Sequence, residues 1–209
     1  KSELLAVMVG GFANTAGGVL AAYVGMLSAY FPDIAGHLIA QSVMSAPAAL
    51  VCAKVAMPET GTPKTMGHVK MDSEKLDANV IDAASRGASE GLTLAFNVGA
   101  MLLAFIALIA MANALLKAVG GAVGMPSISL ENALAVAGYP IAWLMGVPLQ
   151  DCWTVGKLIG VKTVLNEFVA YLQLADILKS GQPLSHRSVI IASYALSGFA
   201  NFSSIAIQI

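Results

Sequence analysis

Four stretches of this chain, residues 4–32, 34–53, 91–116 and 188–209, contain no Lys, Arg, Asp or Glu. About 20 apolar residues in a helix cross a hydrocarbon core of ~30 Å, so each stretch is long enough to span a membrane. The hydrophobic fraction of 57% against 11% charged residues leaves too little polar surface for a globule in water. The chain therefore reads as an all-α integral membrane protein. A net charge of -1 gives no surface for a polyanion, and nucleic acid is not an expected partner. Cys52 and Cys152 stand far apart in apolar surroundings and read as free thiols packed in the interior. The chain begins at Lys1 and stops inside an apolar run, so it reads as an excerpt of a longer protein.

Residues 1–57 are expected to hold two transmembrane helices, separated at Phe31-Pro32-Asp33 because proline cannot continue the helical ladder. Pro47 is expected to bend the second. Residues 58–90 read as a polar loop leading into an interfacial helix near 79–88, since ten of the residues from 59 to 90 are charged. Residues 91–150 should hold a third span over 92–119, a turn around Gly120-Gly121 and Met125-Pro126-Ser127, and a bent or interfacial helix over 130–147. Residues 151–181 break the pattern, because Lys157, Lys162, Asn166, Glu167 and Asp176 interrupt short apolar runs. Two short arms that enter the membrane and return, with Glu167 near the tip, accommodate them. A last span starts near Ser188.

An internal repeat sits inside two of the uncharged stretches. Gly11-Phe12-Ala13-Asn14-Thr15-Ala16-Gly17 in the first and Gly198-Phe199-Ala200-Asn201-Phe202-Ser203-Ser204 in the last share Gly-Phe-Ala-Asn. An Asn side chain without partners at that depth costs several kcal/mol. Two readings stand at this point. Paired helix interruptions point to a transporter's central site; alternatively, the glycines allow close helix packing, with Asn as interhelical glue. Glu167 favours the first, since intramembrane acids serve substrate, ion or proton roles. His37, His68 and His186 lie near membrane edges or in the polar loop without the spacing of a zinc site, and read as interfacial.

Five segments carry a family resemblance: residues 10–19, Ser42-Val43-Met44-Ser45-Ala46-Pro47-Ala48, Met57-Pro58-Glu59-Thr60, Asn166-Glu167-Phe168-Val169-Ala170-Tyr171 and Gly198-Phe199-Ala200-Asn201. In order and spacing they resemble the concentrative nucleoside transporters along essentially the whole chain. The resemblance implies a sodium-coupled or proton-coupled symporter of the plasma membrane, or the inner membrane of a bacterium, that imports nucleosides as a homotrimer. It also implies an inverted repeat, with the first partly unwound helix before Tyr30, a re-entrant hairpin over 155–179 and a second unwound helix over 188–209.

By the same resemblance, Glu167 and Asn201 with Ser204 bind the ribose hydroxyls, while Val19 and Phe199 pack near the base. These residue types suit those tasks: a carboxylate accepts from vicinal hydroxyls, an amide both donates and accepts, and a ring face covers a planar base. Asn14 and Thr15 correspond to the sodium site, and hard cations prefer such oxygens. This Asn-Thr pair is not the family's most familiar combination. The base-recognising first hairpin of relatives is not in the chain. No organic cofactor is implied. A broken-helix carrier of another polar solute, such as an amino acid, is the competing reading, distinguished by ribose-dependent binding. An intramembrane enzyme built on Glu167 would need a second acid or a serine–histidine pair at depth, which the sequence does not offer. A channel-like subunit would show flux without cation stoichiometry.

Overall fold

The computed structural model describes residues 1–62, 67, 77–122, 124, 129–181 and 184–202, and within them the chain is built of eight α-helices with no strand. The first uncharged stretch is split into α1 (Ser2–Ala13) and α2 (Gly17–Leu27). Between them Asn14 (φ -105°, ψ 149°) and Ala16 (φ -64°, ψ 140°) are extended. A helix end leaves its last carbonyls without intrahelical donors, and here side chains supply them. Asn14 Nδ2 donates to the Gly10 carbonyl at 3.2 Å, and Gln41 Nε2 from the next helix donates to the Ala13 carbonyl at 3.4 Å.

After the turn at Phe31–Pro32, α3 (Ile34–Ala56) runs 23 residues and carries Pro47 without ending there. It packs on α1 and, through Ile34 and Leu38, joins the core formed by Tyr23 and Leu27 of α2.

The expected interfacial helix and third span are one element, α4 (Val80–Ala122), of 43 residues. The expectation of a separate surface helix fails for a physical reason. Asp82, Arg86 and Glu90 recur every four residues, so they paint one helical face instead of ending the helix, and Arg86 bridges Glu90 at 3.2 Å. At ~1.5 Å per residue α4 is about twice as long as a hydrocarbon core is thick. Its apolar flank, including Phe96, Leu103, Ile106, Met111 and Leu115, is exposed.

α5 (Leu130–Leu144) begins at Ser129, whose hydroxyl accepts from the Asn132 amide. Asn113 of α4 holds this start: its Nδ2 donates to both Glu131 carboxylate oxygens at 2.9 and 3.0 Å, and its Oδ1 accepts from the Leu130 amide at 2.8 Å. Pro140 lies inside α5 without breaking it.

α5 and α6 (Cys152–Val164) form the most extensive helix pairing among the described residues. A Cβ on Gly138 would collide with the Gly156 backbone, and one on Gly160 would lie 2.5 Å from Leu134 Cβ. Gly156 and Gly160, one turn apart, let the two backbones touch as small residues do between membrane helices. The helix expected over 130–147 is thus the packing partner of the hairpin arm that follows it. α7 (Glu167–Lys179) returns beside α6, and α8 (His186–Leu196) closes the core with Val189, Ala192 and Leu196. Among the described residues, three helical runs are long and apolar enough to cross a membrane: Ser2–Leu27, which joins α1 and α2, Ile34–Ala56 in α3 and Val80–Gly121 in α4. Cys52 is exposed, Cys152 is buried, and both are free thiols.

Candidate substrate and ion site

The arms α6 and α7 meet at Leu165-Asn166. Asn166 leaves the helical region (φ -165°, ψ 167°), and its side chain caps α7 by accepting from the Val169 amide at 2.9 Å. That cap makes Glu167 the first residue of α7, where the helix's positive end stabilises a carboxylate. Glu167 is 4% exposed.

α8 ends at Leu196 and the following residues leave the helix, placing Asn201 6% exposed within the same region. Asn201 Nδ2 donates to Glu167 Oε2 at 2.6 Å across 34 residues of sequence. One residue expected at the hairpin tip and one expected at the second helix break are therefore in direct contact. Asn201 also donates to the Phe199 carbonyl at 3.3 Å, which holds its amide in place.

The two Gly-Phe-Ala-Asn segments also meet. A Cβ on Gly198 would lie 3.2 Å from the Phe12 carbonyl and 3.3 Å from the Ala13 carbonyl, so the second copy lies against the end of α1 in the first. Only a residue without a side chain allows that approach comfortably.

On the far side of this crossing Asn14 Oδ1 accepts from Ser45 of α3 at 2.6 Å. The Thr15 hydroxyl is buried and makes no hydrogen bond, and the same holds for Ser42 Oγ and Gln41 Oε1 on α3. Buried oxygens without partners are rare in folded proteins, and each calls for an explanation, an ion among them. A hard cation needs oxygen donors of this kind, so the side chains at the first break fit sodium.

Tyr23 of α2 stacks on Tyr171 of α7 with ring centroids 4.0 Å apart, and tilts over Phe168 at 6.4 Å. Its buried hydroxyl lies against the Glu167 carboxylate without meeting hydrogen-bond geometry. Val19, one turn before Tyr23, is half-buried against the same core. Phe199 is half-buried. A cleft of about 320 Å³ beside Asn201 is lined by Val9, Phe12, Thr163, Ala200 and Phe202, with neither Val19 nor Phe199 in its wall. Ser204 and His68 lie outside the described residues. His37 Nδ1 lies 3.3 Å from the Tyr194 hydroxyl, and His186 meets Phe31 edge-on.

Sequence reasoning gives Tyr23 and Tyr171 no role of their own. The hexapeptide Asn166-Glu167-Phe168-Val169-Ala170-Tyr171 places Tyr171 one turn beyond Glu167 on the same face, a signal that could have found it.

Residues 37–209 match the family described as Na+ dependent nucleoside transporter C-terminus. The chain is 45% identical to a Bacillus subtilis protein named uncharacterized transporter YutK, over all of the chain and 50% of that protein. It is 43% identical to mouse solute carrier family 28 member 3, over all of the chain and 31% of that protein. Among solved structures it is similar to CNTnw in an inward-facing substrate-bound state, with a TM-score of 0.83 and 44% identity, covering 99% of this chain and 47% of that one. The chain spans half or less of the length of these relatives.

Proposed function

Because this chain belongs to the sodium-dependent nucleoside transporter family, as its match over residues 37–209 shows, we propose that the protein is a cation-coupled symporter importing nucleosides by alternating access. The observation that carries this reading is the buried Glu167–Asn201 pair at 2.6 Å. An acid and an amide held together at a helix start and a helix break form a cradle for vicinal hydroxyls. The Glu167 carboxylate accepts from one ribose hydroxyl, and the Asn201 amide meets the other. Ser204 adds a third polar contact, and Val19 and Phe199 pack near the base.

A site built to hydrogen-bond a hydroxyl rejects an analogue lacking it, because its buried groups are then stranded. Selectivity for ribose over deoxyribose follows from that penalty. Asn14 and Thr15 hold the coupling ion, sodium, with a proton as the alternative in relatives of this kind. When bound, the ion supplies the differential affinity that favours the substrate-ready state. The hairpin α6–α7 is re-entrant, and the loaded unit moves past a scaffold in a homotrimer with one pathway per subunit.

The test is uptake of labelled uridine and adenosine by the full-length protein in lipid vesicles, with and without an imposed inward sodium gradient. Accumulation that requires the gradient is expected. Uptake of neither nucleoside under any gradient, or uptake of an amino acid instead, overturns the reading.

A further inference from the structure

The geometry points to Lys162 as a positioning residue that sets ribose recognition by fastening the hairpin to the broken end of α8. The inference rests on the nucleoside-binding role proposed above for Glu167 and Asn201.

α8 stops at Leu196, and a helix that stops leaves its last carbonyls without intrahelical donors. In a membrane interior, orphan carbonyls must be satisfied by protein. Three of them are, each by a different side chain. Tyr171 of α7 donates its hydroxyl to the Ser193 carbonyl at 2.6 Å, Ser197 donates to the Tyr194 carbonyl at 3.0 Å, and Lys162 of α6 donates its ammonium to the Ala195 carbonyl at 3.2 Å. Both arms of the hairpin are thus stitched to the last turn of α8, one through a phenol and one through a cation.

The cation suits its place. A helix C-terminus carries partial negative charge, and an ammonium there is stabilised by it. Lys162 also lies five residues before Glu167, an obvious counterion, yet among the described residues no ion pair joins them. That division matters for recognition. A lysine paired directly to Glu167 would occupy the oxygens that a sugar must reach, whereas a lysine bound to Ala195 leaves the carboxylate facing Asn201.

Glu167 follows the tip that Lys162 precedes, and Asn201 follows the helix end that Lys162 caps. The ammonium therefore closes a short loop of contacts, from α6 to the end of α8, on to Asn201, across to Glu167 and back through the tip. Removing it frees the break to drift from the carboxylate. Such drift would spoil the precise placement, to within about an ångström, of two groups that grip one sugar. A charge that costs several kcal/mol to bring into a membrane interior marks a functional position.

The experiment measures equilibrium binding of uridine and of 3′-deoxyuridine to purified full-length protein by calorimetry, for wild type, Lys162→Met, Lys162→Gln and Lys162→Arg. For Lys162→Met we expect uridine to bind on the order of tenfold more weakly, as loss of a charged hydrogen bond implies, with binding of 3′-deoxyuridine nearly unchanged. The arginine should recover much of the loss. If the methionine variant fails to insert, the glutamine variant, which keeps a neutral donor on a shorter stem, should show the same collapse of discrimination in smaller measure. Wild-type uridine affinity in the variants, equal weakening of both nucleosides, or no recovery by arginine overturns the role of Lys162. A wild-type protein that does not bind uridine, or does not discriminate the two ligands, instead defeats the proposed function itself.

Discussion

Tyr23 and Tyr171 lie face to face, ring centroids 4.0 Å apart, joining the helix after the first break to the hairpin arm that begins with Glu167. Both rings are fully buried. Stacked aromatic pairs add about 0.5–1.5 kcal/mol beyond the area they bury. Tyr23→Leu removes the stack and leaves a partial void, and should cost about 2–4 kcal/mol. Tyr23→Phe keeps the ring and deletes a buried hydroxyl that lacks a well-formed hydrogen bond, so it should be neutral or slightly stabilising. Thermal melting of the full-length protein in detergent reads the two apart. Equal melting temperatures for Tyr23→Leu and wild type would refute a structural role for the stack.

Glu167→Gln leaves shape and volume nearly intact but replaces one carboxylate oxygen by a donor. The amide oxygen can still accept from Asn201, and in the proposed site a sugar would then meet an NH2 group where it needs an acceptor. Uptake of labelled uridine should fall by a factor of 100 or more, on the order expected when a buried charged hydrogen bond is lost and a donor is stranded. The amount of protein inserted in the membrane, measured by immunoblot, should stay the same. Undiminished uptake at equal insertion would remove Glu167 from the site.

Much of this arrangement is visible in local sequence, and the rest is not, for identifiable reasons. The turn at Asn166-Glu167 is legible because Asn favours helix starts and an acid inside an apolar run marks function, and the break at Asn14 is legible in the Gly-Phe-Ala-Asn repeat. Asn201 is legible through the repeat. α4 is misread because a dense run of charges suggests a boundary, while their four-residue spacing permits a helix to run straight through. Lys162 with Ala195, and Tyr23 with Glu167, depend on how α8 and α2 are laid beside the hairpin. No local pattern encodes such long-range choices. The glycine pair Gly156 and Gly160 is written in α6, but Lys157 between them hides the apolar face that usually announces such packing.

Gly156 should be intolerant of any side chain. A Cβ there would lie 2.7 Å from the Tyr139 amide nitrogen and 2.8 Å from the Gly138 carbonyl carbon, and backbone cannot swing aside as a side chain can. Forcing α5 and α6 apart loses contact along both helices, so Gly156→Ala should cost about 2–3 kcal/mol. Gly156→Leu should prevent accumulation of folded protein. The measurement is melting temperature for the alanine variant and size-exclusion yield for the leucine variant. A normal melt for Gly156→Ala would show that the two helices are not in the tight contact described.

Asp151 ties the start of α6 to the start of α8, beyond the spanning runs, and gives the fold a defined response to acid. Its Oδ2 accepts from the Ser188 hydroxyl at 2.5 Å, the Ser185 hydroxyl at 2.8 Å and the Ser185 amide at 3.1 Å. Burial by itself pushes the carboxyl upward. The hydrogen bonds from Ser188 and Ser185 outweigh it and hold Asp151 below the usual carboxylate range. A folded-state value below the unfolded one, about 3.9, means the group stabilises the fold fully above that unfolded value. The contribution disappears as pH falls through the depressed folded value. Asp151→Asn keeps an oxygen acceptor but loses the charge, so it should melt below wild type at pH 7, and the gap should close as pH is lowered from 5 toward 3. Melting of both proteins across that range is the measurement. A gap that persists unchanged at the acid end would show that the Asp151 charge adds nothing to holding α8 against the hairpin.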